Sequence, residues 1–252
     1  MKHVPCEGIP VAALGCSEPT SPLQRHPSLW LHGAGLSGSP WRDMPRHMPL
    51  ALTPDLPGHG RATPVTPPRV EAFARHLLPQ VPDQAVLIGH SLGGMVALEL
   101  AHLAQDRIAA LVLVEAVPTV RDTRAGRMSA VIARSMMQVT PLAWLRRLLC
   151  VGQSPATRQE MQRQLAQHDR PSLVAAMEAA ACYDGRPRRG RIAVPTVGVG
   201  GRQNRATHRG AQLAAQRIPG AELVQVSGGH MVHTDNPLHL RRAIDAFLRR
   251  RR

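Results

Sequence analysis

One serine of this 252-residue chain is set apart by its neighbours. Ser91 lies in Gly89-His90-Ser91-Leu92-Gly93-Gly94, directly after Val86-Leu87-Ile88 and ahead of Met95, Val96, Leu98, Leu100 and Ala101. The apolar triplet suits a strand buried on both faces of a parallel sheet, and the later residues recur at helical spacing. A chain that turns sharply from such a strand into a helix strains its apex and has no room for a Cβ beside it. That accounts for Gly89 and Gly93, while Gly94 lets the new helix pack close to the sheet. The turn pushes the Ser91 hydroxyl clear of the backbone, at a helix N-terminus where N–H groups point outward. Taken alone, G-x-S-x-G also fits a glycine turn with an N-capping serine. The strand before it and the helix after it select the nucleophile elbow.

A serine hydroxyl is a weak nucleophile at neutral pH and needs an adjacent base. Thirteen histidines compete for that role. His90 adjoins Ser91, but a neighbour on a tight turn is expected to point away. His32 and His59 sit in glycine loops and are expected to hydrogen-bond to backbone. His230 lies in Ser227-Gly228-Gly229-His230, a loop able to swing over the elbow, and His233 is the second candidate.

The elements that must position these groups follow from the hydrophobic pattern. Strands are expected at 11–14, 29–31, 50–52, 86–88, 111–114, 192–199 and 222–226. Helices are expected near 69–78, after the elbow, and at 238–248. Residues 126–138, 141–149, 156–168 and 172–182 read as a run of helices with no strand among them. Strands alternating with helices imply a doubly wound, mostly parallel α/β sheet, and the helical run implies an insert. The domain expectation is a core of residues 1–117 and 191–252, with 118–190 as a helical cap.

Composition narrows the classes. The formal net charge is +14, yet aromatics are only 2% of residues, too few for base stacking, and the arginines are scattered apart from Arg249 to Arg252. Lys2 is the only lysine, so arginine has replaced lysine throughout. No specific nucleic-acid role is expected, and no apolar run reaches membrane-spanning length. Glu7, Pro5, Pro10 and Gly8 interrupt any signal sequence, so a cytoplasmic location is expected. Cys6, Cys16, Cys150 and Cys182 lack metal-ligand spacing, so buried reduced thiols and no metal site are expected, a Cys6–Cys16 disulfide being the lesser reading.

With LHGAG at 31–35, DLPGHG at 55–60, GHSLGG at 89–94 and GGHMVHTDNP at 228–237, the chain resembles the α/β-hydrolase family over almost its whole length. The resemblance implies Ser91 as nucleophile, His230 as base, and the backbone amides of Ala34 and Leu92 as the oxyanion hole. The family's usual acid position, after the strand ending VGVGG, is occupied by Asn204, and an amide cannot stabilise an imidazolium by charge. Glu115, at the carboxyl end of Leu111-Val112-Leu113-Val114, is the candidate replacement, because some family members carry their acid after that strand. Asp235 reads as a helix-capping residue before Asn236-Pro237, and Asp55 as a turn acceptor. The implied function is hydrolysis of a small carboxylic ester or related acyl bond through an acyl-enzyme, on a small-molecule acyl substrate and without a cofactor. A lyase or carbon–carbon bond enzyme on the same scaffold is the alternative, and a ligand-binding protein with a weakened site is a third. Oligomeric state is not legible.

Overall fold

In a computed structural model, residues 21–41, 44, 48, 50–119, 124–204, 211–212 and 215–251 are described. Six strands form one sheet: β1 (Ser28–Leu31), β2 (Ala51–Leu52), β3 (Ala85–His90), β4 (Ile108–Val114), β5 (Thr196–Gly201) and β6 (Glu222–Val226). Their order is β2-β1-β3-β4-β5-β6, and every described pairing is parallel. Successive residues point to opposite faces and fill two cores. Leu29, Leu31, Leu87, Leu111 and Leu113 pack on one side, against α1 (Val70–Leu77) and α2 (Leu92–Leu103). Trp30, Val86, Ile88, Val112 and Val114 pack on the other, against α9 (Pro237–Arg249), which follows the short α8 (Val232–Asp235).

Between β4 and β5 lie α3 (Arg124–Val139), α4 (Leu142–Leu149), α5 (Pro155–Leu165), α6 (Arg170–Cys182) and α7 (Arg186–Arg189). Ser154 and Asp169 start α5 and α6 by accepting the amides of Thr157 (3.3 Å) and Ser172 (2.9 Å). These helices share an apolar cluster of Met137, Leu145, Met161, Leu165 and Leu173, into which the core sends Leu36 and Met231. The far end of the insert is fastened by buried Tyr183, whose hydroxyl donates to Glu99 of α2 at 3.0 Å.

Some boundaries differ from the expectation. β5 starts at Thr196 rather than residue 192, because Pro195 has no N–H to donate and joins the sheet only through its carbonyl, which accepts from Leu111. The expected strand at 11–14, and Cys6 and Cys16, lie outside the described residues. Cys150 is buried as expected, but Cys182, on the last turn of α6, is exposed. Of the insert's large apolar residues, Met137 and Leu145 are buried, whereas Met128, Met136 and Trp144 are exposed. Among the described residues no helix is long and apolar enough to cross a membrane.

Candidate active site

The sheet register brings the candidate residues to one edge. His90 is paired with Val114, and Val114 with Val199, so Ser91 and Glu115 both leave the sheet one step beyond the last paired residue. The Ser91 amide donates to Val114 O (3.0 Å), and the Glu115 amide to Val199 O (2.8 Å). Both residues take a left-handed backbone, with φ of 51° at Ser91 and 49° at Glu115. Such conformations cost about 1–3 kcal/mol in residues that carry a Cβ, and persist only where the surroundings impose them. At Ser91 the imposition is steric. A Cβ on Gly89 would lie 2.6 Å from Gly94 Cα, and one on Gly93 would strike the carbonyls of Leu31 and His32. Gly94 faces the Ala116 methyl just as closely, so α2 rests directly on the chain leaving β4.

Glu115 and His230 come together across 115 residues of sequence, with His230 Nδ1 3.3 Å from Glu115 Oε2. The Glu115 side chain is 0% exposed and that of His230 is 31% exposed. The carboxylate is not bare, since its Oε1 accepts the Gly201 amide and its Oε2 accepts Asn204 Nδ2. Asn204 Nδ2 also lies 3.2 Å from His230 Nδ1. Because that nitrogen already donates to Glu115, the arrangement is consistent when His230 Nδ1–H also points at the carboxylate. That tautomer leaves Nε2 with a lone pair. Glu115, His230 and Asn204 thus share one cluster, in which the amide donates to the carboxylate.

Leu92 is the first residue of α2, where amides have no acceptor within the helix. Ala34, half-buried, sits inside the turn closed by the Leu36 amide on Gly33 O (3.3 Å). Its loop leans on the insert, with the Ser37 amide donating to Gln164 Oε1 at 3.0 Å.

The other histidines weighed for the role, His32, His59, His90 and His233, are buried in other contacts. His32 Nε2 accepts the Leu56 amide (2.9 Å) and its Nδ1 meets Gly33 O (2.8 Å), while His59 Nε2 accepts the Gly35 amide (3.2 Å). Burial above all, reinforced by neighbouring histidines, pushes His32 down to about 3 and His59 to about 4. His233 is buried and stacked on Trp41, with ring centroids 4.5 Å apart, and burial lowers it to about 3. His90 turns its ring under the loop that carries His230. Its Nε2–H donates to the His230 carbonyl at 2.9 Å, and burial holds it well below the usual histidine range. A chain turning at Ser91 also turns the preceding ring back under the neighbouring loop, which the sequence alone does not reveal. Asp55 accepts the Gly38 and Arg61 amides (2.9 and 3.2 Å), as a turn residue should.

Asp235 also departs from expectation. Asn236, not Asp235, occupies the N-cap of α9. The Asp235 carboxylate instead accepts the Gly229 amide on Oδ2 (2.8 Å) and the hydroxyls of Ser154 and Thr157 on Oδ1 (3.0 and 2.5 Å). Its position before Asn-Pro suggested a cap, and nothing in the local sequence named hydroxyls about eighty residues away. Among the described residues no group of three His, Cys, Asp or Glu side chains is arranged to hold a metal ion.

Comparison with known proteins agrees with this architecture. The family model described as "Alpha/beta hydrolase family" matches residues 29–240. A pimeloyl-[acyl-carrier protein] methyl ester esterase of Aromatoleum aromaticum is 43% identical over 99 residues, 38% of this chain and 39% of that protein. The protein of the same name from Klebsiella pneumoniae subsp. pneumoniae is 38% identical over 116 residues, 44% of this chain and 45% of that one. The matches thus span less than half the length of either relative. Among solved structures, a hydrolase from Pseudomonas aeruginosa PA01 superposes with a TM-score of 0.77 at 22% identity, covering 89% of this chain and 90% of that one.

Proposed function

The chain belongs to the alpha/beta hydrolase family, and within it we propose that this protein is a serine esterase acting through an acyl-enzyme. Ser91 Oγ attacks the ester carbonyl carbon while His230 Nε2 takes its proton. The carbonyl oxygen gains the negative charge and is held by the amides of Ala34 and Leu92. The C–O bond breaks as His230 returns the proton to the departing alcohol. Water then attacks the acyl-enzyme by the same route, releasing the acid and restoring Ser91. Glu115 keeps His230 in the Nδ1–H tautomer and stabilises the imidazolium formed in each half-reaction. Residues 118–190 act as the cap that shields this chemistry from water.

The observation that carries the reading is the buried Glu115 carboxylate 3.3 Å from His230 Nδ1. It supplies the charge that Asn204, at the family's usual acid position, lacks. Strained backbone at both Ser91 and Glu115 supports a functional role for each.

The matched relatives make a pimeloyl methyl ester on acyl-carrier protein the first natural substrate class to try. A cavity of about 650 Å³ on the insert, lined by Arg146, Arg147 and Arg158, offers positive charge to an anionic carrier. The test measures p-nitrophenol release from a short-chain ester, and methanol release from the carrier-bound methyl ester, in wild type and Ser91→Ala. The expected result is turnover of one or both substrates, lost by on the order of 10⁶-fold in the variant. Ester turnover that survives Ser91→Ala overturns the mechanism. Fluorophosphonate labelling of Ser91 without any ester turnover selects the lyase class instead.

A further inference from the structure

The segment carrying His230 is fastened on both sides to the inserted helices. On its N-terminal side, Gly229 donates its amide to Asp235 Oδ2. The other oxygen of that carboxylate accepts Ser154 Oγ and Thr157 Oγ1, at the start of α5. On its C-terminal side, Met231 is buried among Leu145, Met161 and Leu165 of the insert. A cavity of about 430 Å³ runs along this seam, lined in part by Ser154, Thr157, Gln203, Gly228, Gly229 and Asp235. Ser154 is exposed and Thr157 is buried. The Ser154 bond therefore borders solvent, where water can replace the departing hydroxyl without leaving the carboxylate dry and unpaired.

We propose that Asp235 is a positioning residue that couples seating of the inserted helices to placement of His230. With α5 seated, both carboxylate oxygens are engaged and the Gly229 amide is held, which sets the backbone one residue before the imidazole. When α5 lifts, Oδ1 loses its two hydroxyl donors and Met231 loses its apolar neighbours. The carboxylate turns to solvent, and the glycine pair at 228–229 is released. His230 is then aligned only when the insert is closed. Coupling of this kind needs one element whose equilibrium both sites bias, and the 228–235 segment is that element. The inference rests on the reading of His230 as the base.

Two variants separate this role from simple scaffolding. Asp235→Asn keeps the shape and loses the charge, whereas Thr157→Val keeps the shape, lies in the insert and touches neither Gly229 nor His230 in the bonds above. Asp235→Asn should lower kcat about tenfold to a hundredfold, with KM changed less than about threefold. Thr157→Val should lower kcat about fivefold, and the double variant should be no worse than Asp235→Asn, because both break one linkage. Hydrogen exchange of the 228–230 amides in Thr157→Val should speed up about tenfold, although the substitution lies in α5. Wild-type exchange at 228–230 in Thr157→Val, or penalties that multiply in the double variant, overturns the coupling. Circular dichroism checks folding, and Asp235→Glu, which restores the charge, distinguishes local unfolding from loss of the linkage by recovering part of kcat. If the wild type turns over no ester, the esterase reading fails, and the exchange measurement still decides the coupling.

Discussion

The two glycine-rich segments that meet at the site, 89–94 and 227–230, are held in opposite ways. In the first, glycines are jammed: added Cβ atoms at Gly89, Gly93 and Gly94 would collide with backbone or with Ala116. The strand, the turn and α2 are consecutive in sequence, so the elbow largely builds itself. In the second, a Cβ on Gly229 would meet only the side chains of Asp235 (3.3 Å) and Gln153 (3.8 Å). This loop is held from outside, by Asp235 on the Gly229 amide, Gln203 on the Gly228 amide, His90 on the His230 carbonyl and Glu115 on the His230 ring. The Ser91 side is rigid by local sterics. The His230 side is placed by distant partners, and is accordingly the side on which the proposed coupling to the insert acts.

The largest expected effect lies on the His230 side. Glu115→Gln keeps the shape but removes the anion, and steady-state turnover should fall towards the ~10⁴ loss known for a triad stripped of its carboxylate. Near-normal turnover in that variant would overturn the assignment of Glu115.

A paired alanine substitution contrasts the two segments directly. Gly89→Ala should cost about 3 kcal/mol or more, since the methyl meets fixed backbone rather than a flexible side chain. Gly229→Ala should cost less than about 1 kcal/mol, since only side chains need to give. Urea denaturation of both proteins measures the difference, and equal destabilisation would erase the distinction.

Acid should loosen both sides. His32, His59 and His233 are held at about 3, 4 and 3 in the folded state, against ~6.5 when unfolded. The unfolded chain therefore binds more protons below pH ~6.5, so stability is complete above that pH and falls as the pH drops towards 4. Each ring contributes up to about 1.4 kcal/mol per pH unit across that window. Urea midpoints at pH 7, 6 and 5 measure the slope, and His59→Gln should make it shallower. A flat profile would show that these rings are not buried neutral.

A modest effect on turnover is expected at Asn204. Asn204→Ala removes one brace from Glu115 and should cost about 1–2 kcal/mol, or roughly tenfold in kcat. Asn204→Asp should partly rescue Glu115→Gln, by returning a carboxylate within reach of His230. Collapse of Asn204→Ala beside a healthy Glu115→Gln would assign the third role to the amide instead.

What the sequence determined by itself is whatever depends on neighbours along the chain. The elbow was legible because steric exclusion of Cβ leaves a pattern of glycines around one serine. The alternation of strands and helices was legible because burial on two faces imposes apolar runs and 3.6-residue spacing. Glu115 was reachable as an expectation because a parallel sheet delivers the carboxyl ends of its strands to one edge. Only the tertiary structure decided what depends on pairs far apart in sequence. It brought His90 under the His230 carbonyl, made Asn204 a donor to the carboxylate, and turned Asp235 from an apparent cap into a bond between the His230 loop and the insert. Hydrogen bonds of this kind act over about 3 Å, and which polar groups come that close is set by packing of the two cores and the insert, to which the sequence around each residue gives no index.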